Sequence, residues 1–569
     1  MGLGRGVAVM AIWVLLAAAL APAPPAAKAQ ESGEISPPPA SGATSPPQAS
    51  AENRPPQSSA ENRPPLAPPV ALPVADPLYD DLRALVARRV IAIPGLTARP
   101  RSTFALAPAL ASALARAETL GAGQRADPVL ARVAAALADP LRATGIDSTA
   151  RPRPVLLQAG NLGSRFQVSG FARFQAEASP DRGFVLTDST RAGFRFSWIV
   201  WPNLHLFEEL YVADVAGGRE FADPLVADTD IIIFQDRVYA GLHTRYADVI
   251  LGRDRLGWGP GAKGSLLLSE TSRPFTHLRL ERDFLDGRVH AVVVNGVLSQ
   301  AERRYVAFHR LEWQVSRQLR IAAAEGARYN ADGFEPLYLV GIVPYPLVGR
   351  LLERDNASRA SDELVRNNVI WDLDASYFLF HGAEIYGELL LDDIGTETSE
   401  TPTRLAYQLG GLLVRDLHGF PLTLRGEWTR VWRYVYSVFY GADFVHEGIP
   451  LGYPQGPDSR GVRLAATVEA RPGLELGALG ERIDRGEDAL GVFWDPADPM
   501  LQGAKASRFG GQVERQVRLL GTARWRPSFQ ALQLEASLEL GGAWVRNSVH
   551  RPGEDRAGLT GRLVLAIER

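Results

Sequence analysis

From about Ser164 onward the chain alternates apolar and polar residues with a period of two. Phe166, Val168, Gly170, Ala172 and Phe174 share one face, against Arg165, Gln167, Ser169, Phe171 and Arg173 on the other. Ile385, Gly387, Leu389 and Leu391 oppose Glu384, Tyr386, Glu388 and Asp392 in the same way. Leu422, Leu424, Gly426 and Trp428 repeat the pattern, and Leu532, Leu534, Ala536, Leu538 and Leu540 give its clearest form. Adjacent side chains of a strand point to opposite faces, so each segment reads as a strand with one apolar and one strongly polar side.

A soluble antiparallel sheet would carry that alternation too. These segments are about ten residues long, however, which matches a tilted transmembrane strand rather than the ~5–6 residues of a soluble one. Aromatics gather at segment ends, at Trp198 and Trp201, Trp432 and Tyr434, and Trp525, as interfacial girdles require. No helical stripe returns to cover a second face. With roughly 400 residues available and about 22 per strand and turn, the reading is mainly β: a large antiparallel transmembrane β-barrel of about 16–18 strands, spanning residues 160–569. The last segment keeps the alternation at Gly561, Leu563, Leu565 and Ile567 but ends on Arg569, without the aromatic that usually finishes such barrels.

Upstream the period is helical, and residues 76–150 read as a small N-terminal helical domain at the periplasmic side. Asp76-Pro77 supplies an N-cap and a first-turn proline, and Leu78, Leu82, Leu85 and Val86 then share a face up to Pro94-Gly95. An alanine-rich segment around Ala107 to Leu120 follows, and Asp127-Pro128 opens a third stripe of Leu130, Val133, Leu137 and Leu141. Helices this short bury little area alone and must dock on something larger. Residues 30–75 are rich in Pro, Ser and Ala and repeat Ala51-Glu52-Asn53-Arg54-Pro55-Pro56 at Ala60-Glu61-Asn62-Arg63-Pro64-Pro65, which reads as a disordered, semi-stiff tether. Residues 1–29 read as a secretory signal: Arg5, an apolar core from Val7 to Leu20, and Ala27-Lys28-Ala29 at cleavage spacing. An uncleaved anchor is the competing reading.

Composition narrows the classes. The 569 residues are 46% hydrophobic and 22% charged, which excludes wholesale disorder. A net charge of −3 gives no basis for a nucleic-acid partner. Positive charge is almost all arginine, lysine occurring only at Lys28, Lys263 and Lys505. Guanidinium suits phosphate and carboxylate groups such as those of lipopolysaccharide or an acidic glycan, although biased codon usage gives the same composition. Cysteine is absent, which removes disulfides, thiolate metal sites, cysteine nucleophiles and an acylated lipoprotein anchor.

No catalytic set emerges. The nine histidines are scattered and no Gly-x-Ser-x-Gly motif is present. His309 and Glu312, three apart on one strand, fall on opposite faces and cannot cooperate directly. Asp392-Asp393 is a possible Ca²⁺ site, but a solvated strand end is the simpler reading. No enzyme activity, cofactor or metal is expected.

Two segments between strands are too rich in glycine and proline to hold a ladder. One is Gly257-Trp258-Gly259-Pro260-Gly261, continued by Gly264-Ser265-Leu266-Leu267-Leu268-Ser269 and Ser272-Arg273-Pro274-Phe275. The other, Leu451-Gly452-Tyr453-Pro454-Gln455-Gly456-Pro457-Asp458-Ser459, follows a strand carrying Trp428, Trp432, Tyr434, Tyr436, Phe439 and Tyr440. These segments resemble those of the Wzi-type capsule-assembly family, outer-membrane barrels that act as surface lectins for capsular polysaccharide. The resemblance continues through His309-Arg310-Leu311-Glu312-Trp313, Glu325, Tyr329, Asn368 to Asp374, Tyr386 to Asp393, and the helix at Tyr79 to Leu85. It covers most of the chain beyond the tether. The tether, the non-aromatic terminus and the near-neutral charge depart from it.

That resemblance implies a barrel of about 18 strands, helices at its periplasmic end, and capsular or exopolysaccharide bound at the outer face without catalysis. Outer-membrane lipid and the barrel-assembly machinery would be its other partners. Stacking aromatics beside hydroxyl-binding polar groups are what sugar recognition needs, so Trp432, Tyr434, Tyr436 and Asp458 are the candidate glycan contacts. Girdle aromatics and a turn at Gly456-Pro457-Asp458 are the alternative for that set. Trp258, Gly259, Pro260 and Gly261, with Arg273, Pro274, Gly456 and Pro457, are taken as signature or structural-loop residues, the Trp258 loop serving as a plug inside the barrel. A general porin is the alternative function; it needs an open, charge-lined lumen, whereas a surface lectin of this kind has a sealed one.

Overall fold

The computed structural model describes residues 71–569, except 120–127, 139–140, 142–154, 161–163, 180–182, 187–189, 202, 215–230, 245, 332, 334, 342, 357–366, 396–401, 439–440, 495–505 and 528–531. The signal, nearly all of the tether, and Phe439 and Tyr440 lie outside the described residues.

Eighteen staves close into one antiparallel barrel. In chain order they begin with Arg165–Ser179 (β1), Arg191–Trp201 (β2), Leu204–Asp214 (β3), Ile231–His243 (β4), Asp248–Asp254 (β5) and Phe275–Phe284 (β6). Val289–Ser299 (β7), Arg304–Gln314 (β8), Leu319–Asn330 (β9), Asn367–Phe380 (β10), Ala383–Asp393 (β11) and Arg404–Leu417 (β12) follow. The circuit ends with Phe420–Val431 (β13), Ser459–Arg471 (β14), Leu474–Arg485 (β15), Glu514–Trp525 (β16), Gln533–Arg546 (β17) and Arg556–Glu568 (β18). Closure leaves no edge with unpaired N–H and C=O groups, the condition for crossing lipid with strands. β18 pairs with β1 from Gly561↔Ala178 to Glu568↔Phe171. Gly170 and Arg569 exchange backbone bonds of 2.7 and 2.8 Å beyond that register. The seam therefore shuts without a terminal aromatic.

The period-two reading is plainest on β11. On β11, Glu384, Tyr386, Glu388, Leu390 and Asp392 point inward and are buried, while Ile385 and Leu389 are exposed outward. Connections differ at the two ends. One end has tight turns at 285–288, 315–318, 381–382, 418–419 and 472–473; the other carries long segments such as 255–274, 331–366, 432–458 and 486–513. Gly382, Gly419 and Gly473 supply the positive φ that such tight turns need. Outward aromatics ring the short-turn end, among them Trp198, Trp201, Phe284, Trp313, Phe420 and Trp525. Trp432 and Tyr434 do not belong to that ring. They sit beyond β13, facing the interior, with Tyr434 1% exposed.

A second departure concerns the outer wall. The helix Tyr345–Asn356 lies outside the barrel, and its Tyr345 and Val348, with Tyr338, cover Tyr305, Ala307, Ala327 and Tyr329 of β8 and β9. A helix thus does cover part of the second face. Strand alternation was silent about it because the helix belongs to the connection between β9 and β10.

Helices α1 (Leu78–Ala87), α2 (Thr103–Thr119) and α3 (Pro128–Ala136) pack at the short-turn end. The expected start signal works as a cap: the Leu78 N–H donates to Asp76 Oδ1 at 2.8 Å. Leu82, Leu85, Leu106, Leu110, Leu130, Val133, Leu137 and Leu141 share one buried cluster, joined by Phe378 from the barrel. Docking is polar as well. Arg132 binds Asp81 Oδ1 at 2.7 Å and Oδ2 at 2.8 Å, and reaches Glu469 of β14 at 2.9 Å. Arg83 meets Glu384 at 2.9 Å and Arg425 meets Asp80 at 2.9 Å. Arg132 is thus the tie between α1, α3 and the wall. Arg132→Ala is expected to weaken the docked helices by about 2 kcal/mol, the value of charged hydrogen bonds. Faster tryptic clipping of the helical segment, with an unchanged heat-dependent gel shift of the barrel, would register it.

Candidate functional site

The interior is where loops from one end meet helices from the other. The segment between β5 and β6 folds down the lumen, and its Gly257–Trp258 pairs with Ala98–Arg99 rising from the helical end. The Gly259 N–H donates to Thr97 O at 2.9 Å and the Trp258 N–H to Leu268 O at 2.8 Å, so the tryptophan is pinned from both sides. Its ring is 1% exposed and meets Phe308 edge-on at 5.9 Å. Trp258, Leu266, Leu267, Leu268 and Phe275 share a core with Val306, Phe308, Ile370 and Leu390 of the inner wall.

Inward carboxylates of the wall satisfy the loop backbone. Glu388 accepts the Leu266 N–H at 2.6 Å, and Glu427 accepts the Ala262 N–H at 2.7 Å. Gln408 donates to Gly264 O at 3.2 Å, Arg83 donates to Pro260 O, and Lys263 pairs with Glu481. Burial pushes the Lys263 amine below its ordinary range despite that partner. A buried loop is admissible only because its polar backbone groups find such partners. Two glycines are required here. Gly259 has φ +125° and a Cβ would lie 2.7 Å from Ser265; Gly264 has φ +115° and a Cβ would lie 2.6 Å from Pro454. From below, Gly95 N–H donates to Glu312 at 3.0 Å, and Arg310 donates to Thr97 Oγ1 at 2.8 Å while pairing with Asp374. A small cavity between the helical end and the loop is lined by Tyr79, Arg83, Thr97, Gly259, Arg320 and Glu384.

The connection between β13 and β14 covers this plug from the long-loop side. Tyr436, wholly buried, donates to Leu266 O at 2.6 Å and accepts the Tyr453 N–H at 3.2 Å. Burial holds its phenol well above the ordinary range, so it remains a proton donor. The Tyr436 N–H in turn donates to Asp392 at 2.6 Å. Asp392 is therefore a buried anchor rather than a solvated strand end, whereas Asp393 pairs with Arg404 at 3.0 Å. No cluster of metal-binding side chains occurs among the described residues.

The sugar-stacking set expected from the sequence is thus not presented at a surface. Tyr434, Tyr436 and Asp458 are buried, and Trp432 is half-buried against the plug core. The structure corrects that expectation: Tyr434 and Tyr436 stand in left-handed backbone (φ +66° and +73°) and are 1% and 0% exposed. Asp458 (φ +52°) accepts the Gly510 N–H at 2.9 Å and the Asp488 N–H at 3.4 Å, clipping two connections together. The other motif residues are scaffold. Arg273 lies 3.9 Å from Glu447, Pro274 O accepts from His446 at 3.3 Å, and Gly456 and Pro457 are buried in a turn closed by Ser459 Oγ to Gly456 O at 2.7 Å. Among the described residues of the long connections, exposed aromatic surface belongs instead to Phe493, 37% exposed, beside half-buried Trp494. Gly491 N–H donates to Ser437 Oγ at 3.0 Å, which ties their loop to the plug cover. The sequence carried no periodic signal for these two, which stand in a connection rather than a strand.

His309 and Glu312 do face opposite sides. Glu312 supports the lower seal, while His309 lies on the outer wall 3.2 Å from Glu325. Glu325 also accepts from the Tyr345 N–H at 2.8 Å and from Trp371, anchoring the outer helix.

No protein-family profile matches the chain, and no curated protein matches it. Among solved structures it is similar to Wzi, an outer-membrane protein involved in group 1 capsule assembly in Escherichia coli and a carbohydrate-binding β-barrel. Identity is 16%, 88% of this chain and 99% of that chain are covered, and the TM-score is 0.58. OprD of Pseudomonas aeruginosa aligns over 71% of this chain and 93% of its own at 10% identity, TM-score 0.39. OccD3 of the same organism aligns over 74% and 96% at 12% identity, TM-score 0.39. The likeness to Wzi establishes the fold, a closed antiparallel barrel with a few N-terminal helices.

Tyr436→Phe removes one buried donor and one acceptor at once. It is expected to cost about 1–3 kcal/mol locally and to speed amide exchange at Leu266 to Ser269, leaving exchange in the staves unchanged. Gly264→Val, strained in φ and in contact with Pro454, should expose the same segment to protease from the long-loop end.

Proposed function

We propose that the chain is an outer-membrane protein that binds surface polysaccharide, capsular or secreted, and retains it at the cell surface without catalysis. The observation that carries this reading is the plug inside the barrel. Loop 255–274 and the helical end meet inside the barrel through the Trp258 ladder, and a further loop covers them. A general porin needs a continuous polar path, and this arrangement disfavours one. The fold likeness to a carbohydrate-binding barrel over 88% of the chain supports the ligand class.

Outer-membrane barrels place short turns in the periplasm and long loops outside. On that rule α1 to α3 lie periplasmic, which agrees with the reading of residues 1–29 as a cleaved signal ending near Ala29 and of 30–75 as a tether. Insertion would then depend on the barrel-assembly machinery. The glycan would meet the long-loop rim, where Phe493 and Trp494 offer aromatic faces and Arg433 with Asp488 offers polar ones. Aromatic faces stack on the apolar side of a sugar ring while forks take its hydroxyls.

Loss of the gene should leave polymer synthesis intact and release the polymer into the medium; unchanged surface retention contradicts the reading. Phe493→Ala with Trp494→Ala should weaken binding of the purified protein to the host polysaccharide by about 2- to 10-fold. Tyr434→Phe, which changes only an interior phenol, should leave that binding unaltered.

A further inference from the structure

The outer wall of β13 to β17 carries an ordered charge pattern unrelated to the plug. Arg430 pairs across the sheet with Arg460, Arg460 with Asp484, Asp484 with Arg515 and Arg515 with Arg546. Register partners share a face, so four arginines and one aspartate form a single outward row near the long-loop end. The next outward row, two residues towards the short turns, is Trp428, Val462, Arg482, Val517 and Trp544. Beyond it come Gly426, Leu464, Gly480, Leu519 and Gly542, then Leu424, Ala466, Ala478, Gly521 and Leu540. The wall thus passes from fully apolar, through a line flanked by tryptophans, to arginine.

The arginines are held in place. Arg460 Nε and Arg515 Nε each meet Asp484 at 3.0 Å, and Arg482 meets it through Nε at 3.1 Å and Nη2 at 3.0 Å. Three guanidiniums share one carboxylate that is 1% exposed, while they are themselves 38–42% exposed. Arg430 is fixed by Ser459 O at 3.0 Å and Ser507 O at 3.1 Å, and Phe509 stacks on it at 4.0 Å. Trp428, Arg460, Val462, Arg482 and Asp484 line a shallow groove at the same place. An excess of planar forks, pre-oriented above a tryptophan line on a lipid-facing wall, fits a doubly charged oxyanion at the membrane boundary.

We propose that this row binds the phosphate group of a glycolipid in the outer leaflet, with the acyl chains lying along the apolar rows beneath. It rests on the membrane orientation given above and not on polysaccharide binding. The buried aspartate gathers Arg460, Arg482 and Arg515 at one place on the wall; the lipid phosphate completes their charge balance.

Full-length protein in detergent would be tested against bisphosphorylated lipid A, the same lipid without phosphates, inorganic phosphate and an acidic polysaccharide, by native mass spectrometry and competition. Lipid A is expected to bind about 10- to 100-fold more tightly than its dephosphorylated form. Arg482→Gln with Arg515→Gln should erase that preference, and Arg546→Gln, which leaves the Asp484 cluster whole, should reduce it in a barrel that folds normally. Arg551→Gln, an equal charge loss on an exposed loop, should leave it intact. Equal binding of the two lipids, retention of the preference in both row variants, or displacement of lipid A by equimolar phosphate or polysaccharide would overturn the proposal. Glycan binding at the rim is read separately in the Phe493 and Trp494 variants, so either reading can fail alone.

Discussion

A two-residue ladder between Gly257–Trp258 and Ala98–Arg99 joins the two ends of this barrel, and the interior is arranged around it. So short a ladder has no stability of its own. It persists because inward carboxylates take the backbone donors on either side of it, Glu388 above and Glu312 below, and because Trp258 is wrapped in an apolar core. Around the plug, the polar inner face that in a porin would meet water meets loop backbone, at Glu388, Gln408 and Glu427. Charged staves and glycine-rich loop are two halves of one solution: the buried loop needs acceptors, and the wall it covers needs donors.

The outer wall answers to a different solvent. Most of it is plain strand alternation, leucine and valine towards lipid with aromatics at the short-turn end. Two places break the rule in opposite ways. Beside β8 and β9 an outer helix is docked on Glu325 and His309, so polar atoms are hidden there from lipid. Along β14 to β17 the arginines are left facing out, while Arg430 of β13 is buried beneath Phe509. Both lie towards the long-loop end, where a membrane surface tolerates polarity that its centre excludes.

The staves were legible because a half-buried strand writes itself as period two; length bounded their number at about 16–18, and the resemblance pointed to the upper end. The helical stripes at Leu82 and Leu85 and at Val133 and Leu137 were legible for the same reason at period 3.6. What the loops do was not. Tyr434 and Tyr436 read as surface aromatics because composition gives no inside or outside; their burial follows from how the β13–β14 connection folds over the plug. Trp258 and its glycines lie buried inside the barrel, but the expectation that so much glycine and proline excludes any ladder there is corrected by the pairing of Gly257–Trp258 with Ala98–Arg99. The arginine row was beyond reach. Its members, 430, 460, 484, 515 and 546, become neighbours only through a cross-strand register that no single segment contains.

Single-channel recording from the purified protein in planar bilayers tests the sealed lumen most directly. The account predicts no stable open-channel current from the intact chain, and stepwise conductance once the ladder is broken by replacing Trp258 and its flanking glycines. Large, steady currents from the intact chain would contradict it.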